Sequence, residues 1–241
     1  MGKVITIGET TFDILFRNGQ PTGAVIGGSA LNTSISLGRS GIPVCFVSRM
    51  GNDRIGDLSI QFLRDNHIQC DNIVRYQGNS RLAIAFVDDP NNTEYQFYSP
   101  TVIPTLSYPE TKKGDIVCYG STHAIREEGR NDLLLFLNQA RENNNLIIYD
   151  PNIRETNRLK LKTIREKVSE NLQLTKILKG STIDFDRLYN TKNIDKLFSR
   201  VNKLGVEALI LTAGSDPVSL RTQSLSASFP VAPIEAVNTI G

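Results

Sequence analysis

The chain has 241 residues, of which 39% are hydrophobic and 22% charged, and its formal net charge is +2. These values predict one large globular domain. Lys and Arg are spread along the chain, so the sequence offers no basic patch for nucleic acid or for an anionic membrane. No apolar run approaches the roughly 18 residues of a membrane span, and the apolar run at residues 4–7 is too short for a secretory segment. A cytoplasmic protein is expected.

The cysteines and histidines exclude two kinds of catalytic centre. Cys45, Cys70 and Cys118 are scattered without metal-ligand spacing, and His67 and His123 are isolated. Neither a histidine-based zinc site nor a Ser-His-Asp triad is therefore supported. An odd number of cysteines without a secretion signal indicates a reducing compartment.

Apolar strands alternate with amphipathic helices along most of the chain. The predicted strands lie at residues 3–8, 43–49, within 68–75, and at 115–120, 146–149, 206–214, 218–221 and 226–231, with a short strand and turn at 177–180. The predicted helices cover 29–40, a segment ending near 66, 130–142 and 160–174, and a further helix opens at 181. This alternation predicts a mostly parallel sheet covered on both faces. Short strands at 13–16 and 24–26, and a hairpin-like pair at 82–87 and 93–98, depart from it.

A glycine-rich stretch begins directly before the first predicted helix. Gly27 and Gly28 would let the backbone approach a ligand closely, and the helix beyond them offers free N–H groups. Asn32, in the first turn of that helix, adds a donor and an acceptor. On local chemistry alone, an ordinary glycine-rich turn explains these residues equally well.

Polar residues also follow predicted strands, where open α/β sheets bind their ligands. Asp13 follows the first strand, and its carboxylate can accept two hydrogen bonds from sugar hydroxyls. Asn152 and Arg154 follow the strand at 146–149, and the planar fork of Arg154 suits phosphate or carboxylate. The alternatives are a turn aspartate and a helix-entry turn with a surface arginine.

The spacing from the paired glycines through Asn32 to Gly41 and Gly51 resembles the N-terminal signature of the ribokinase-like carbohydrate kinases, the phosphofructokinase-B family. The residues Ser29-Ala30-Leu31 directly after the paired glycines look most like those of fructokinase-type members. The resemblance implies a three-layer α/β/α sandwich with a mostly parallel central sheet, spanning residues 1–241 as one C-terminally incomplete domain. It also implies a small β-lid formed by residues 13–26 and 81–98. Such a lid would exclude water from the sugar site and pair two chains into a homodimer.

The resemblance also assigns roles to individual residues. The sugar would be bound by Asp13, Gly27, Gly28, Asn32 and Asn152, and Arg154 would contact phosphate. ATP would be bound by Ser181, Thr212, Gly214 and Gly241, with Asp184 near Mg²⁺. The chain departs from the family at Ser181 and Asp184, where Asn-x-x-Glu is usual. It departs again at Pro217, which replaces a glycine of Thr-x-Gly-x-x-Gly and lacks an N–H.

The sequence given stops at Gly241, within the family's Thr-x-Gly-Ala-Gly-Asp motif. The aspartate of that motif is the family's general base, so no catalytic base is assigned. Two explanations are open: the sequence covers part of a longer protein, or the protein is catalytically dead. The first is favoured, because a strand that ends on a helix-opening glycine leaves a sheet face uncovered.

The expected activity is ATP- and Mg²⁺-dependent phosphorylation of a sugar, most simply fructose. Ribose, a ketodeoxy-gluconate sugar acid and a nucleoside are alternatives. A nucleoside base could stack on Phe12, Phe16 or Tyr98, and a sugar acid could pair with Arg17 or Arg81. A non-catalytic sugar-binding homologue is the rival from another class. A dinucleotide-dependent dehydrogenase is disfavoured because no Gly-x-Gly-x-x-Gly follows the first strand.

Overall fold

The computed structural model describes residues 2–89, 92–100, 104–153 and 160–233. The chain divides into two compact units, one running from Lys3 to Pro109 and the other beginning at Glu110. Each unit is described by itself below. Within the described ranges, no helix is long and apolar enough to cross a membrane.

The first unit combines a parallel sheet with two helices and a separate antiparallel sheet. Its elements are β1 (Val4–Ile7), β2 (Thr11–Arg17), β3 (Gln20–Gly27), α1 (Ser29–Arg39), β4 (Val44–Gly51), α2 (Arg54–Asp65), β5 (Ile68–Gln69), β6 (Ile73–Tyr76), β7 (Leu82–Asp89) and β8 (Asn92–Tyr98). Strands β1, β5 and β6 all pair in parallel with β4. The predicted helix at 29–40 is confirmed, and the strand predicted within 68–75 consists of two short strands.

The helices of the first unit bury one face each against β4. Leu31 and Ile35 of α1, Leu63 of α2 and Phe46 of β4 belong to one core cluster, and Phe46 and Leu63 are fully buried. In α1 the buried residues recur three and four positions apart, which is the spacing of one helical face. This packing fixes the turn that precedes α1.

Asp53 joins three segments of the first unit. Its Oδ1 caps α2 by accepting from the Gly56 N–H at 2.8 Å, and it also accepts from Ser80 Oγ at 2.6 Å. Its Oδ2 accepts from the Ser80 N–H at 2.7 Å, and Ser80 Oγ accepts from the Gly51 N–H at 3.1 Å. Burial raises the pKa of Asp53, but the bonds from Ser80 and Gly56 and the charge of Arg75 lower it, and the net pKa lies below its ordinary value.

The antiparallel excursions form one four-stranded sheet, here called the lid sheet, in the order β3-β2-β7-β8. Strand β2 pairs in parallel with β7, with Asp13 opposite Ala83 and Phe12 opposite Leu82. Because side chains alternate along a strand, Asp13 shares a face with Ala83 and Ala85. All three are buried.

The opposite face of the lid sheet is apolar and half-exposed. It carries Phe12, Ile14, Phe16, Leu82, Ile84 and Phe86. The rings of Phe16 and Phe86 lie 5.8 Å apart. The lid sheet therefore has one face with a buried carboxylate, which also carries Leu15, Tyr95 and Phe97, and one open apolar face.

The second unit is a mostly parallel sheet with four helices among its described residues. Its elements are β9 (Ile116–Gly120), a 3-10 turn (Thr122–Ile125), α3 (Arg130–Glu142), β10 (Leu146–Asp150), α4 (Leu161–Leu172), β11 (Ile177–Ser181), α5 (Thr182–Tyr189), α6 (Ile194–Asn202), β12 (Ala208–Ala213), β13 (Asp216–Thr222) and β14 (Ser226–Phe229). Strands β9 to β12 are parallel neighbours, and β13 and β14 continue the sheet antiparallel. The 3-10 turn and α6 were not predicted from the sequence.

The hydrogen bonds of Asp53 predict a pH-dependent stability. A carboxylate whose folded pKa is depressed stabilises the fold above its unfolded pKa, and that stabilisation is lost as pH falls through the folded pKa. We expect Asp53→Asn to lower the free energy of unfolding by about 1–3 kcal/mol at pH 7, because Ser80 and Gly56 lose acceptors. The difference in the free energy of unfolding between the wild type and Asp53→Asn, measured by urea denaturation, should be smaller near pH 3 than at pH 7.

The matched control is Asp57→Asn in the first turn of the same helix, where the carboxylate is 59% exposed and pairs with Arg75. An exposed pair of this kind contributes about 1 kcal/mol or less. An Asp53→Asn effect no larger than that of the control would contradict the role given to Asp53.

Candidate active site

The glycine turn of the first unit has the close backbone packing that its sequence indicates. Gly28 has φ +132°, and a Cβ there would lie 2.4 Å from the carbonyl oxygen of Glu9. A Cβ on Gly51 would lie 2.5 Å from the backbone nitrogen of Ser80. Both glycines are therefore required by neighbouring backbone. The N-cap residue of α1 is Gly28, which has no side chain that could cap the helix.

Asn32 and Asp13 are the predicted sugar-binding side chains of this unit. Asn32 lies in the first turn of α1, half-buried, and its own N–H donates to the Gly28 carbonyl at 2.8 Å. Asp13 was expected just past the first strand and at the start of a short strand at 13–16, and it lies within β2 of the lid sheet, which begins at Thr11. The reason is that β1 ends at Ile7 and the chain enters the lid after residues 8–10, so Asp13 is presented by a strand.

A charged cluster that the sequence reasoning missed stands beside this turn. The carboxylate of Glu9 binds Arg49 at 3.0 Å and also binds Arg81. Arg49 donates to the carbonyl of Pro104 at 2.7 Å, and the guanidinium of Arg81 lies over the ring of Phe97. The Glu9 carbonyl packs against Gly28, so the cluster fixes the glycine turn. Only the tertiary fold brings these distant residues together.

In the second unit, polar residues follow the parallel strands at one edge of the sheet. Asp150 ends β10, and its Oδ2 accepts from Lys179 Nζ on β11 at 2.6 Å. Burial raises the pKa of Asp150 above its ordinary value, and the Lys179 ammonium opposes that shift. Asn152 follows with φ +41°, a left-handed conformation that costs an ordinary residue about 1–3 kcal/mol.

The strained turn at Asn152 is held from α5 by two side chains, here called the turn clasp. Asp184 Oδ1 accepts from the Ile153 N–H at 2.7 Å, and Arg187 donates to the Ile153 carbonyl at 2.9 Å. Asp184 Oδ2 accepts from the N–H and the hydroxyl of Ser181, which completes the capping box of α5. The predicted cap at Ser181 is thus confirmed, and Asp184 serves the fold directly.

The predicted nucleotide residues lie at the next strand end. Thr212 of β12 pairs with Ser181 of β11, so two hydroxyl residues stand side by side. Gly214 has φ +64° in the turn after β12. Pro217 lies within β13 and is therefore outside that turn. Arg154 and Gly241 lie outside the described residues.

The first unit thus brings together an uncapped helix start, a half-buried amide and a lid sheet with a buried carboxylate. The second brings hydroxyls and amides to the carboxyl-terminal edge of a parallel sheet, where α/β proteins bind phosphates and other polar ligands. These features define an α/β kinase of the ribokinase-like class.

The sequence comparison agrees with that class. Residues 1–241 match the pfkB family of carbohydrate kinases, and the chain therefore belongs to this family. Fructokinase-1 of Oryza sativa subsp. japonica is 26% identical over 224 residues, covering 89% of this chain and 69% of the rice protein. A chloroplastic probable fructokinase-6 of Arabidopsis thaliana is 27% identical over 229 residues, covering 89% of this chain and 58% of that protein.

Solved structures share the fold. The apo fructokinase of Vibrio cholerae O395 superposes with a TM-score of 0.83 at 20% identity, covering 100% of this chain and 83% of that one. Aminoimidazole riboside kinase of Salmonella enterica, complexed with aminoimidazole riboside and an ATP analog, gives 0.84 at 20% identity, covering 98% and 79%. The predicted ribokinase-like fold with a β-lid is confirmed. The chain is a sugar kinase by family.

Because Asp184 holds the turn at Ile153 as well as capping α5, its substitution should destabilise the fold more than the loss of a helix cap alone. In Asp184→Asn an amide N–H would face protein donors, so we expect a loss of roughly 1–3 kcal/mol in the free energy of unfolding. The control is Asn193→Ala, which removes the cap of α6, a bond of 2.9 Å to the Lys196 N–H. A cap alone contributes about 1 kcal/mol. Denaturant titration should rank Asp184→Asn above the control, and the reverse order would contradict the clasp.

Proposed function

We propose that the protein is a fructokinase, which transfers the γ-phosphoryl group of ATP to a primary hydroxyl of fructose. The observation that carries this proposal is the side-chain alternation in the lid sheet. Asp13 is buried on the same face as Ala83 and Ala85, and these small side chains suit a compact polyol; the larger Leu15, Tyr95 and Phe97 also lie on that face. The Asp13 carboxylate can accept two hydroxyl hydrogen bonds.

The same alternation divides the aromatic residues of the lid sheet between its two faces. Phe12, Phe16 and Tyr98 register together on the face opposite Asp13. Tyr95 and Phe97 pair with Ala85 and Ala83 and so lie on the Asp13 face, with their rings stacked 5.8 Å apart, which keeps a nucleoside as the second candidate.

Of the two arginines that could pair with a sugar acid, Arg81 is already bound to Glu9, and Arg17 is exposed at the end of β2. The names of the plant relatives and of the Vibrio cholerae structures support fructose as well.

ATP is proposed as the phosphoryl donor, held by Ser181, Thr212 and Gly214 at the edge of the second unit's sheet. One related structure contains fructose, ADP and a potassium ion, and another an ATP analog. Arg154 is proposed as a further phosphate contact, Asn152 as a group near the reacting atoms, and Gly241 as part of the anion site.

Mg²⁺ is proposed as the accompanying cation, and the donor set fits an indirect role for the protein. The described residues contain no group of three or more His, Cys, Asp or Glu side chains that could hold a metal ion. Asp184 has three of its roughly four acceptor positions occupied by protein donors. Mg²⁺ commonly binds through substrate phosphates and keeps several waters, so Asp184 would reach it through water. The ion offsets the charge that develops during transfer.

These residues would act mainly by positioning the substrates. Asp13 and Asn32 would orient the sugar, the N–H groups before α1 would approach it, and the lid would exclude water. The described residues offer no assigned general base. The single ribokinase-like domain, a cytoplasmic location and a homodimer formed through the open lid face belong to the same proposal.

An ADP-release assay on the full-length protein tests the activity. With Mg-ATP, we expect turnover with fructose exceeding that with ribose, ketodeoxygluconate or adenosine. Asp13→Asn should raise the KM for fructose roughly 10- to 100-fold, because a hydrogen bond to a charged group contributes about 1.5–3 kcal/mol. Asn32→Ala should also raise the KM for fructose.

The matched control is Asp88→Asn, an exposed carboxylate on the same lid sheet that accepts from the Asn18 N–H at 2.5 Å. Preferred turnover of adenosine would overturn the choice of fructose. Binding of fructose by calorimetry without turnover of any sugar would favour the non-catalytic homologue.

The open lid face predicts the dimer. We expect Ile84→Asp to convert a dimer to a monomer in sedimentation velocity runs, because it buries a charge at the centre of the proposed contact. Leu58→Asp is the control, since Leu58 is an exposed apolar residue, 41% accessible, on α2. Equal sedimentation of wild type and both variants as monomers would refute the lid interface.

A further inference from the structure

Lys179 places an ammonium group at the carboxyl-terminal edge of the second unit's sheet. It lies on β11, opposite Ile210 of β12, and its Nζ lies 2.6 Å from Asp150 Oδ2. The strand ends on either side carry Asn152 and Thr212, both proposed site residues. Parallel α/β sheets bind their ligands at this edge.

Apart from its pairing with Asp150, Lys179 has apolar neighbours on its face of the sheet. Ile148, Ile177 and Ile210 lie on the same face of the sheet and are half-buried. Replacing a partly buried ion pair with well-packed apolar residues is commonly neutral or stabilising. A Lys–Asp pair among isoleucines at the ligand-binding edge is therefore better explained by function than by stability.

The pair also leaves the ammonium able to bind a ligand. The bond to Asp150 engages one of the three N–H donors of the ammonium, and the Lys179 side chain is 43% exposed. Asp150 is shielded, with a side chain 26% exposed. The carboxylate thus restrains a long, flexible side chain in one orientation without covering it.

We propose that Lys179 is a phosphate-binding residue that contacts the phosphate chain of the nucleotide, and that Asp150 is the positioning residue that holds its ammonium. This inference rests on the proposed kinase function and deepens it. Phosphoryl transfer builds negative charge on the phosphate oxygens, and a prearranged cation stabilises that charge.

The chain contains a matched control at the other end of the same strand. Lys176 immediately precedes β11 and pairs with Glu207, and its side chain is 48% exposed. The two lysines thus have similar exposure and the same kind of partner, but Lys176 lies at the amino-terminal edge of the sheet. The partners differ in exposure, since Glu207 is 66% exposed and Asp150 26%, so melting temperatures of both variants are measured to separate a loss of stability from a loss of nucleotide binding.

The test compares Lys179→Met with Lys176→Met in the full-length protein. We expect Lys179→Met to weaken Mg-ADP binding by calorimetry 10- to 100-fold and to raise the KM for ATP, with the KM for fructose within about two-fold of wild type. Lys176→Met should leave all three within two-fold. Lys179→Arg should recover part of the binding, because it restores the charge with a different shape.

A double-mutant cycle tests Asp150. If Asp150 acts through Lys179, Asp150→Asn should weaken Mg-ADP binding, and the double variant Asp150→Asn with Lys179→Met should bind no worse than Lys179→Met alone. Additive losses would assign Asp150 an independent role and overturn the positioning part. Melting temperatures identify a variant that fails to fold, and Lys179→Gln then replaces Lys179→Met.

The outcomes separate this inference from the proposed function. Wild-type turnover of fructose, together with a Lys179→Met variant that behaves like Lys176→Met, overturns the phosphate contact and leaves the kinase standing. A wild-type protein that neither binds Mg-ADP nor turns over a sugar overturns both.

Discussion

The alternation of side chains along β2 is the constraint on which the sugar site depends. A strand can turn Asp13 to one face only by turning Phe12 and Ile14 to the other. One face therefore receives Asp13, Leu15 and the alanines of β7, and the other receives Phe12, Ile14 and Phe16. One backbone geometry thus decides which side chains face the proposed sugar site and which face the proposed dimer contact.

Electrostatic pairing positions the backbone throughout both units. Glu9 holds two arginines beside the glycine turn, Asp53 ties the start of α2 to Ser80, and Asp184 clasps the turn at Ile153. In each case a carboxylate accepts several hydrogen bonds from groups far apart in sequence. Such multiply bonded carboxylates are costly to remove, because their partners would be left unsatisfied. They explain how loops that carry site residues are kept in place.

Local patterns in the sequence predicted several helices and a helix cap. Contacts that depend on which strands become neighbours were not predicted. The glycine signature, the helix at 29–40 and the cap at Ser181 are local patterns, and the structure confirms them. Helix α6 has apolar residues at 194, 197, 198 and 201, a helical spacing that could have revealed it. The Glu9 cluster and the Lys179–Asp150 pair depend on which strands become neighbours. The position of Asp13 depends on where the chain leaves the first strand, which composition does not determine.

The replacement of the family's glutamate by Asp184 has a consequence for how charge is balanced at the second unit's sheet edge. A glutamate would carry its carboxylate one methylene, about 1.5 Å, further from the helix. The shorter aspartate instead closes on Ser181 and on Ile153, and three hydrogen bonds occupy it. With those bonds made, Asp184 has little capacity left to bind a cation directly, so the proposed Mg²⁺ would be held mainly by the nucleotide's own phosphates. Under that condition a fixed protein cation at the same edge gains importance, and Lys179, restrained by Asp150, is placed to supply it.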